Sequence, residues 1–566
     1  MSTTYDRRAF MAYFSSVGLG STLLPGVLWA KAGGEEITEA TIACAEEMAG
    51  LKFDEAQRKM MVEGLKTQEK SLEALHAIAI DNGVAPALVF DPTPGTAVPA
   101  GPLGHQPPVR SKVALPKVTG DIEALAFETV SVLSELLRAR KVSSLALTQM
   151  YLARLKKYDP VLHCVVTLTE ERALAQARAA DAEIARGRYR GPLHGIPWGA
   201  KDLLAVKGYP TTWGTTPYKE QMLDEDAIVV QRLDAAGAVL VAKLTLGELA
   251  QGDVWFGGMT RNPWKPEQGS SGSSAGPGSA TAAGLVGFAI GTETLGSISS
   301  PSTRNGVTGL RPTFGRVPRT GAMALSWSMD KIGPMCRSAE DCALVLDVIQ
   351  GPDGKDHSVR AAPYKWDATI KPSALRVGYI KTAFDETDER RHATKKFDDA
   401  ALDVLRSLGV TLIPVEIPEM NYAAMRVILT AEAAAAFDEL TRSGRDKLLA
   451  AQEIGSWPNT FRTARFIPAV DYINANRVRT LAIRKWDAMM SQVDVIVCPT
   501  NGAQLMATNL TGHPAVILPN GFRDTDGTPV SLTFLAGLYQ EGKLLAVAHQ
   551  YQQATAFHTK HPTVKI

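Results

Sequence analysis

Two blocks dense in glycine and serine, separated by an apolar run, constrain this chain more than any other feature. The first is GSSGSSAGPGS at residues 269–279, and the second is GTETLGSI at residues 291–298. A flexible linker of this composition would be bounded by polar residues, but residues 280–290 are a largely apolar run that predicts a buried helix or strand. The pattern therefore predicts two backbone turns held inside a fold, where small residues let the main chain approach a substrate closely.

Composition indicates a large folded protein without a dominant charge. The chain has 566 residues, of which 45% are hydrophobic and 21% charged, which suits a sizeable core and excludes general disorder. Its length fits either three to four domains or one large domain with an appendage. Lys and Arg number 60 against 59 Asp and Glu. No global field would attract nucleic acid or anionic lipid, so we predict no nucleic-acid partner.

Cysteine and histidine spacing gives no sign of a metal site. The five cysteines lack a C-x-x-C pair, and the ten histidines include no H-E-x-x-H cluster. We predict no metal and no other cofactor, and interpret the cysteines chiefly as small buried hydrophobic residues. The sequence does not indicate an oligomeric state.

The N-terminus has the pattern of an export signal. Arg7 and Arg8 precede a mildly apolar stretch at residues 14–29, and Ala30-Lys31-Ala32 fits an A-x-A cleavage site. We predict a twin-arginine signal over residues 1–32, a mature chain beginning near Gly33, and a periplasmic or secreted location; the alternative is an irregular cytosolic N-terminus. No other run approaches the roughly 18 apolar residues of a membrane span, so no integral membrane segment is expected after cleavage.

The rest of the chain divides into three predicted parts. Residues 33–89 have helical periodicity and predict an N-terminal helical extension. Residues 90–120 hold many prolines and predict a linker or a chain lying extended along a surface. From residue 121 to residue 566, strand-like and helical runs alternate, which predicts an α/β fold.

Lys201 follows the largely apolar run at residues 195–200 and precedes Leu203 and Leu204. A lysine at such a strand end is more commonly solvated. Burial would favour its neutral form, which can act as a general base. The nearby serine-rich turns favour that second interpretation, because a hydroxyl nucleophile needs an activating base.

Several blocks in the same order resemble the amidase signature family. Lys201 lies in a G-[IV]-P-x-x-x-K-D block, Ser273 in G-S-S-[AG]-G and Ser297 in G-[ST]-I, with spacings of 72 and 24 residues that also suit the family. Residues 261–264, 309–316 and 509–515 extend the resemblance, which covers roughly residues 121–560.

The resemblance implies a fold and a mechanism. The fold would be a large twisted mixed β-sheet covered by helices. Neutral Lys201 would accept a proton through Ser273, preceded by a cis peptide bond, while Ser297 attacks the carbonyl of a small-molecule or peptide amide to form an acyl-enzyme. The oxyanion donors would be backbone N–H groups of the second turn, those of Thr294, Leu295, Gly296 and Ser297. Ser274 would orient the relay or be an ordinary turn serine.

Three positions depart from the commoner family pattern. Glu293 replaces an aspartate and Leu295 a glycine, a version that resembles the branch containing bacterial peptide amidases. Ser299 stands where many relatives carry arginine, so we expect a site less suited to an anionic group.

The predicted function is hydrolysis of linear amides, with ester or carbamate hydrolysis as a side activity. Two alternatives are kept beside it. One is an ammonia-transferring, A-type subunit of a tRNA-dependent amidotransferase, and the other is a catalytically idle binding protein on the same scaffold. Peptide C-terminal amides, aryl and alkyl amides are all candidate substrates, because the pocket depends on long-range packing.

Overall fold

The computed structural model describes residues 37–49, 52–76, 78, 81–84, 86, 88–93, 101–103, 106–118, 120–388 and 392–565. The predicted export signal at residues 1–32 lies outside the described residues.

An eleven-stranded mixed sheet forms the centre of the molecule. Its strands are β1 Val165–Leu168, β2 Pro197–Lys201, β3 Val239–Leu244, β8 Phe288–Glu293, β9 Thr308–Arg311, β10 Lys331–Cys336, β11 Val377–Ile380, β12 Leu412–Val415, β13 Val495–Pro499, β14 Ala515–Phe522 and β15 Pro529–Ala536. Two small ribbons pair β4 Val254–Trp255 with β5 Gly258–Met259, and β6 Arg261–Asn262 with β7 Lys265–Gly269.

The strand order in the large sheet is β1-β3-β2-β8-β10-β9-β14-β15-β13-β11-β12. The pairs β3–β2, β2–β8, β13–β11 and β11–β12 are parallel, and the other pairs of this sheet are antiparallel. Parallel pairing therefore surrounds β2 near one end of the sheet and β11 near the other.

Seventeen α-helices are present in the described part of the chain, and several of them pack on this sheet. They are α1 Glu39–Ala49, α2 Glu55–His76, α3 Val130–Arg138, α4 Ser144–Leu162, α5 Glu170–Ala185, α6 Ile228–Ala235, α7 Ala275–Ala282, α8 Ser299–Asn305, α9 Ala339–Ile349, α10 Lys381–Asp385, α11 Lys395–Ser407, α12 Val427–Ala436, α13 Asp438–Arg442, α14 Trp457–Ala464, α15 Ala469–Met490, α16 Ala503–Thr511 and α17 Glu541–Thr555. The predicted α/β fold, a large mixed sheet covered by helices, is confirmed.

The part of the sheet around β2 is buried on both faces. Every residue of β2, β3 and β8 is buried. Parallel strands with both faces covered are typically near-continuous apolar runs, and β3, with the sequence VLVAKL, fits that pattern. Because β2 lies between two parallel neighbours, its last residue, Lys201, is held deep inside the protein.

The apolar run between the two Gly-Ser blocks contains the end of one helix and the start of one strand. The first block leads into α7, a turn follows, and β8 then runs directly into the second block. The helix α7 therefore begins in the first block, and the strand β8 ends in the second. The strand β8 also pairs with β2, which ends at Lys201. This connection brings the serines of both turns toward the lysine.

The segment around Val109 lies against the main fold. Within residues 106–118, Val109 forms a parallel bridge to Asp367 and makes backbone hydrogen bonds of 2.9 Å with Trp366 and Ala368. Among the described helices, none combines the length and apolar character that a membrane span requires. The predicted boundaries at residues 32, 89 and 120 stay predictions.

Candidate active site

Lys201 is the centre of a buried cluster of hydroxyl groups. Its Nζ lies 2.8 Å from Ser273 Oγ, 2.8 Å from Thr292 Oγ1 and 3.1 Å from Ser274 Oγ. All four side chains are buried, and Lys201 has no exposed surface. A lysine, two serines of the first Gly-Ser block and the threonine at the end of β8 thus share one interior site.

Burial controls the charge of this lysine. It lowers the pKa of Lys201 well below its ordinary value, against the weaker opposing fields of Asp330 and Glu293. The cause is that the ammonium form loses its hydration, and hydroxyl groups replace it only in part. An amine in such a site is available to accept a proton.

Ser274 uses all of its hydrogen-bonding capacity inside the protein. Its hydroxyl donates to the carbonyl of Thr292 and accepts from the N–H of the same residue, both at 3.1 Å. The bond from Lys201 Nζ then fills its second acceptor position. Ser274 therefore ties the first turn to β8 and fixes the lysine, and it has no proton to give.

Counting donors and acceptors around Lys201 also shows which group its lone pair can face. A neutral amine has two N–H groups and one lone pair, and Ser274 can only accept from it. When Thr292 accepts the second N–H, the lone pair is left for the hydroxyl proton of Ser273. The arrangement can therefore take a proton from Ser273, whose peptide bond with Gly272 is cis.

The second block places Ser297 beside this cluster. The Ser297 carbonyl accepts a hydrogen bond of 3.1 Å from the Ser274 N–H, so the backbones of the two turns are joined directly. Ser297 is 8% exposed, the least enclosed of the three predicted catalytic residues. Within the described residues its hydroxyl makes no hydrogen bond to Ser273, so the direct Ser273–Ser297 contact of the predicted relay is not formed here.

The turn before Ser297 has backbone donors that meet no acceptor among the described residues. Gly296 has φ of +88°, a left-handed conformation that glycine adopts without strain. The backbone N–H groups of Thr294, Leu295, Gly296 and Ser297 donate to no acceptor in the part of the chain that the structure describes. Successive free amides in a tight turn can stabilise a developing negative charge.

Glu293 holds this turn in place. Its Oε2 accepts from the N–H groups of Ile298 and Ser299 and from the Ser299 hydroxyl, at 2.8 to 2.9 Å. Its Oε1 accepts from Arg311 and Asn509, both at 2.8 Å. Burial alone would raise the pKa of Glu293, but the Arg311 charge and these bonds lower it to about 2. The glutamate is therefore a charged anchor for the turn that carries Ser297.

Replacing this anchor should weaken both fold and turn. We expect Glu293→Gln to lower stability at neutral pH by about 3 kcal/mol, because Arg311 would lose its buried counter-charge. A pKa lowered from 4.5 to about 2 stabilises the folded state above pH 4.5, and this contribution disappears as the pH falls toward 2. Denaturant titrations at pH 7 and pH 3 should thus show a smaller difference in stability between wild type and variant at pH 3.

The exposed Glu267 on β7 provides the matched control. Glu267→Gln removes a carboxylate of the same type and should leave stability within about 0.5 kcal/mol of wild type at both pH values. Equal effects of the two substitutions would contradict the anchoring role of Glu293.

A large cleft opens onto the cluster. It has a volume of about 1310 Å³, and its lining includes Thr292, Thr294 and Asp330. Thr294 donates its hydroxyl to Asp330 at 2.6 Å, and the Lys331 amine lies 3.5 Å from the Thr294 carbonyl. The cleft is large enough for a drug-sized molecule and reaches the second Gly-Ser turn.

Several residues of the site were not singled out from the sequence. Thr292 lies inside the second block, but its approach to Lys201 depends on the pairing of β2 with β8. Arg311 and Asn509 lie in blocks that carry the family resemblance, and the structure adds their shared contact with Glu293. In the described part of the chain, no group of three His, Cys, Asp or Glu side chains could hold a metal ion.

Comparisons with known proteins agree with this geometry. The sequence profile of the Amidase family matches residues 146–507. The chain is 36% identical over 482 residues to the A-type subunit of the glutamyl-tRNA(Gln) amidotransferase from Methylococcus capsulatus, covering 77% of this chain and 98% of that protein. It is 34% identical over 481 residues to the protein of the same name from Pseudomonas aeruginosa, with the same coverage.

Solved structures give the same result. The native peptide amidase from Stenotrophomonas maltophilia superimposes with a TM-score of 0.70 at 32% identity, over 78% of this chain and all of that one. The fold and these matches define an enzyme class that acts on C–N bonds. The chain belongs to the amidase signature family.

Proposed function

We propose that this protein hydrolyses linear carboxamides through an acyl-enzyme on Ser297. The observation that carries the proposal is the buried Lys201 amine, whose Nζ lies 2.8 Å from Ser273 Oγ and 2.8 Å from Oγ1 of Thr292, a residue that lines the cleft. The Ser297 carbonyl accepts a hydrogen bond from the Ser274 N–H, and Ser297 ends a run of four N–H groups that donate to no acceptor among the described residues. These contacts support a nucleophile, a base and oxyanion donors within one site.

Proton transfer would follow the hydrogen bonds. The Ser273 hydroxyl gives its proton to the lone pair of Lys201 and takes the proton of Ser297 as Ser297 Oγ attacks the carbonyl carbon. This requires the Ser297 side chain to reach Ser273 when substrate is bound, and catalytic hydrogen bonds often tighten only in that state. The oxyanion forms against the free amides of residues 294–297.

Collapse of the tetrahedral intermediate uses the same groups. The amine departs with the proton returned from Lys201 through Ser273, which leaves the acyl group on Ser297. Water then attacks the ester, and the relay takes its proton in the same way as before. The carboxylic acid leaves and Ser297 regains its hydrogen, so each group returns to its starting state.

Substrate charge is the next element of the proposal. Ser299 donates its hydroxyl to Glu293 and is 2% exposed, so this position places no positive charge in the cleft. Arg311, a buried cation near this turn, is paired with Glu293. Neither Ser299 nor the paired Arg311 therefore offers a free positive charge to a carboxylate of the substrate, and we propose a neutral amide as the substrate.

The test is ammonia or amine release by the purified chain alone. A panel of peptide C-terminal amides, aryl amides and alkyl amides should include substrates that turn over without any added protein, and a fluorophosphonate should label Ser297 and stop the reaction. Absence of both turnover and labelling would favour an idle binding protein on the same scaffold.

Ammonia transfer within a larger amidotransferase is the second candidate. It is favoured by the relatives named as glutamyl-tRNA(Gln) amidotransferase components, which the chain matches over 77% of its length. Under this alternative, free amides would turn over slowly and the chain would copurify with partner proteins. Rapid turnover by the isolated chain would contradict it.

We further propose that the protein is exported through the twin-arginine pattern at Arg7 and Arg8. Replacing both arginines by lysine keeps the charge but removes the motif. The variant should accumulate in the cytoplasm with residues 1–32 intact, whereas the wild type should begin near Gly33 in the periplasm or medium. Peptide mapping of each fraction decides this, and wild-type protein found intact in the cytoplasm would contradict the proposal.

A further inference from the structure

Part of the cleft is lined by the end of the N-terminal extension and the start of the proline-rich segment, both outside the region that resembles the family. We call the described residues 81–84, 86 and 88–91 the cleft wall. They line the same cavity as Thr292 and Thr294, which lie at the reacting end. The cleft is therefore bounded by a segment far from the catalytic blocks in sequence.

The cleft wall is fastened at its first end by one side chain. Asn82 Oδ1 accepts from the N–H of Ala324 at 2.7 Å, and its Nδ2 donates to the carbonyl of Ala324 at 2.9 Å. The same Nδ2 also approaches the carbonyl of Ala436 at 3.3 Å. This paired contact is like that between two backbone strands, and it links the extension to two separate parts of the main fold.

The other end is fastened by an aromatic ring. Phe90 lies under the guanidinium of Arg479, 3.4 Å from ring centroid to carbon, and edge-on to Phe314 at 5.0 Å. Arg479 is itself buried and bonded to both the hydroxyl and the carbonyl of Ser328. Asp91, the next residue of the wall, pairs with Arg360. Both ends of the wall are thus anchored.

Between these anchors the wall is apolar and exposed. Val84, Leu88 and Val89 are 57%, 86% and 51% exposed and line the cleft. Ile473 of α15 lines the same cleft and is 57% exposed. Exposed apolar side chains that line a cleft would be stabilised by contact with an apolar ligand group.

We propose that the cleft wall binds an apolar group of the substrate and makes the enzyme selective for amides with a long alkyl or aryl group. The inference rests on the proposed function, because it takes the cleft as the amide site. The occupant is the substrate itself, because the wall lines the same cleft as Thr292, which contacts Lys201.

The test compares chain-length series in wild type and Leu88→Ser. One series is the 4-nitroanilides of acetic, butyric, hexanoic and octanoic acids, and the other is acetamides with N-alkyl groups of the same lengths. In the wild type, kcat/KM should rise with length in one series, which identifies the side of the amide that contacts the wall. Leu88→Ser should reduce the ratio of longest to shortest about tenfold, since burying a leucine-sized side chain contributes about 1.5 kcal/mol or more.

Ile454 is the matched control, because it is 89% exposed and does not line the cleft. Ile454→Ser should leave the length ratio at its wild-type value. A flat wild-type response in both series, or equal ratios in wild type and Leu88→Ser, would overturn the inference while leaving amide hydrolysis intact.

Binding provides a readout that does not depend on turnover. Calorimetric titration of Ser297→Ala with acetamide, hexanamide and octanamide should show affinity rising with length, and Leu88→Ser in that background should remove most of the rise. If affinity rises with chain length but the wild type hydrolyses no amide, the proposed hydrolysis is contradicted and the inference about the wall is not. Equal affinities for all three amides would overturn the inference about the wall.

Discussion

Ser297→Ala should reduce amide turnover to background. The substitution removes the atom that forms the acyl-enzyme, while Lys201, Ser273 and the turn amides remain in place. Loss of the nucleophile in a comparable serine relay lowers kcat by on the order of 10⁶-fold, because the members act as a unit. The measurement is steady-state release of amine from an amide that the wild type hydrolyses, made on protein shown to be folded by its thermal transition.

Thr303 provides a matched control in the helix that follows. Its hydroxyl donates to the carbonyl of Ser299 within α8, at 2.9 Å. Thr303→Ala removes a hydroxyl close to Ser297 along the chain and should keep turnover within a few-fold of wild type. Substantial turnover by Ser297→Ala, or equal losses in the two variants, would contradict a nucleophilic role for Ser297.

Lys201→Met should reduce the turnover of amides more than the turnover of activated esters. Methionine occupies a similar volume without a basic group, so amide turnover should fall by about 10²- to 10⁴-fold, the usual contribution of general base catalysis. A 4-nitrophenyl ester should lose less, because its phenolate departs without being protonated. The measurement is kcat/KM for an amide and an ester of the same acyl group.

The pH dependence of kcat/KM provides an independent test of Lys201 as the base. Because burial lowers the pKa of Lys201, its neutral form is present above that lowered pKa, and wild-type kcat/KM should fall as acidification charges the amine. The Lys201→Met variant should lack this acid limb in its residual ester turnover. Lys207, an exposed lysine nearby in the sequence, provides the control, since Lys207→Met should keep the wild-type profile. Wild-type amide turnover by folded Lys201→Met would contradict the assignment.

The sequence was most informative about buried, locally patterned elements. The apolar runs at residues 238–242, 493–498 and 515–518 have the pattern of buried strands, and the structure has β3, β13 and β14 there. Lys201 and Ser273 were predicted together from motifs and spacing, and their polar atoms meet at 2.8 Å. Such features can be predicted from local sequence, because a buried strand has an apolar pattern and because the turns require small residues.

Long-range contacts explain what the sequence did not indicate. Thr292 reaches Lys201 only because β2 and β8 are neighbours, and no local pattern shows that pairing. Asn82 meets Ala324 across 242 residues of chain, and an asparagine in a helix-rich, proline-flanked segment gives no sign of such a partner. The composition of residues 33–120 indicated helices and extended chain, but not that part of this region would line the cleft.

The most direct test of the proposed mechanism is the mass of the peptide that contains Ser297 during turnover. Acid quenching of the enzyme with an excess of a slowly deacylating 4-nitrophenyl ester, followed by proteolysis, should show the acyl mass on Ser297 in the wild type and none in Ser297→Ala. In Lys201→Met the acyl form should appear more slowly. Turnover without any acyl mass at Ser297, or with the acyl group on another residue, would contradict the account.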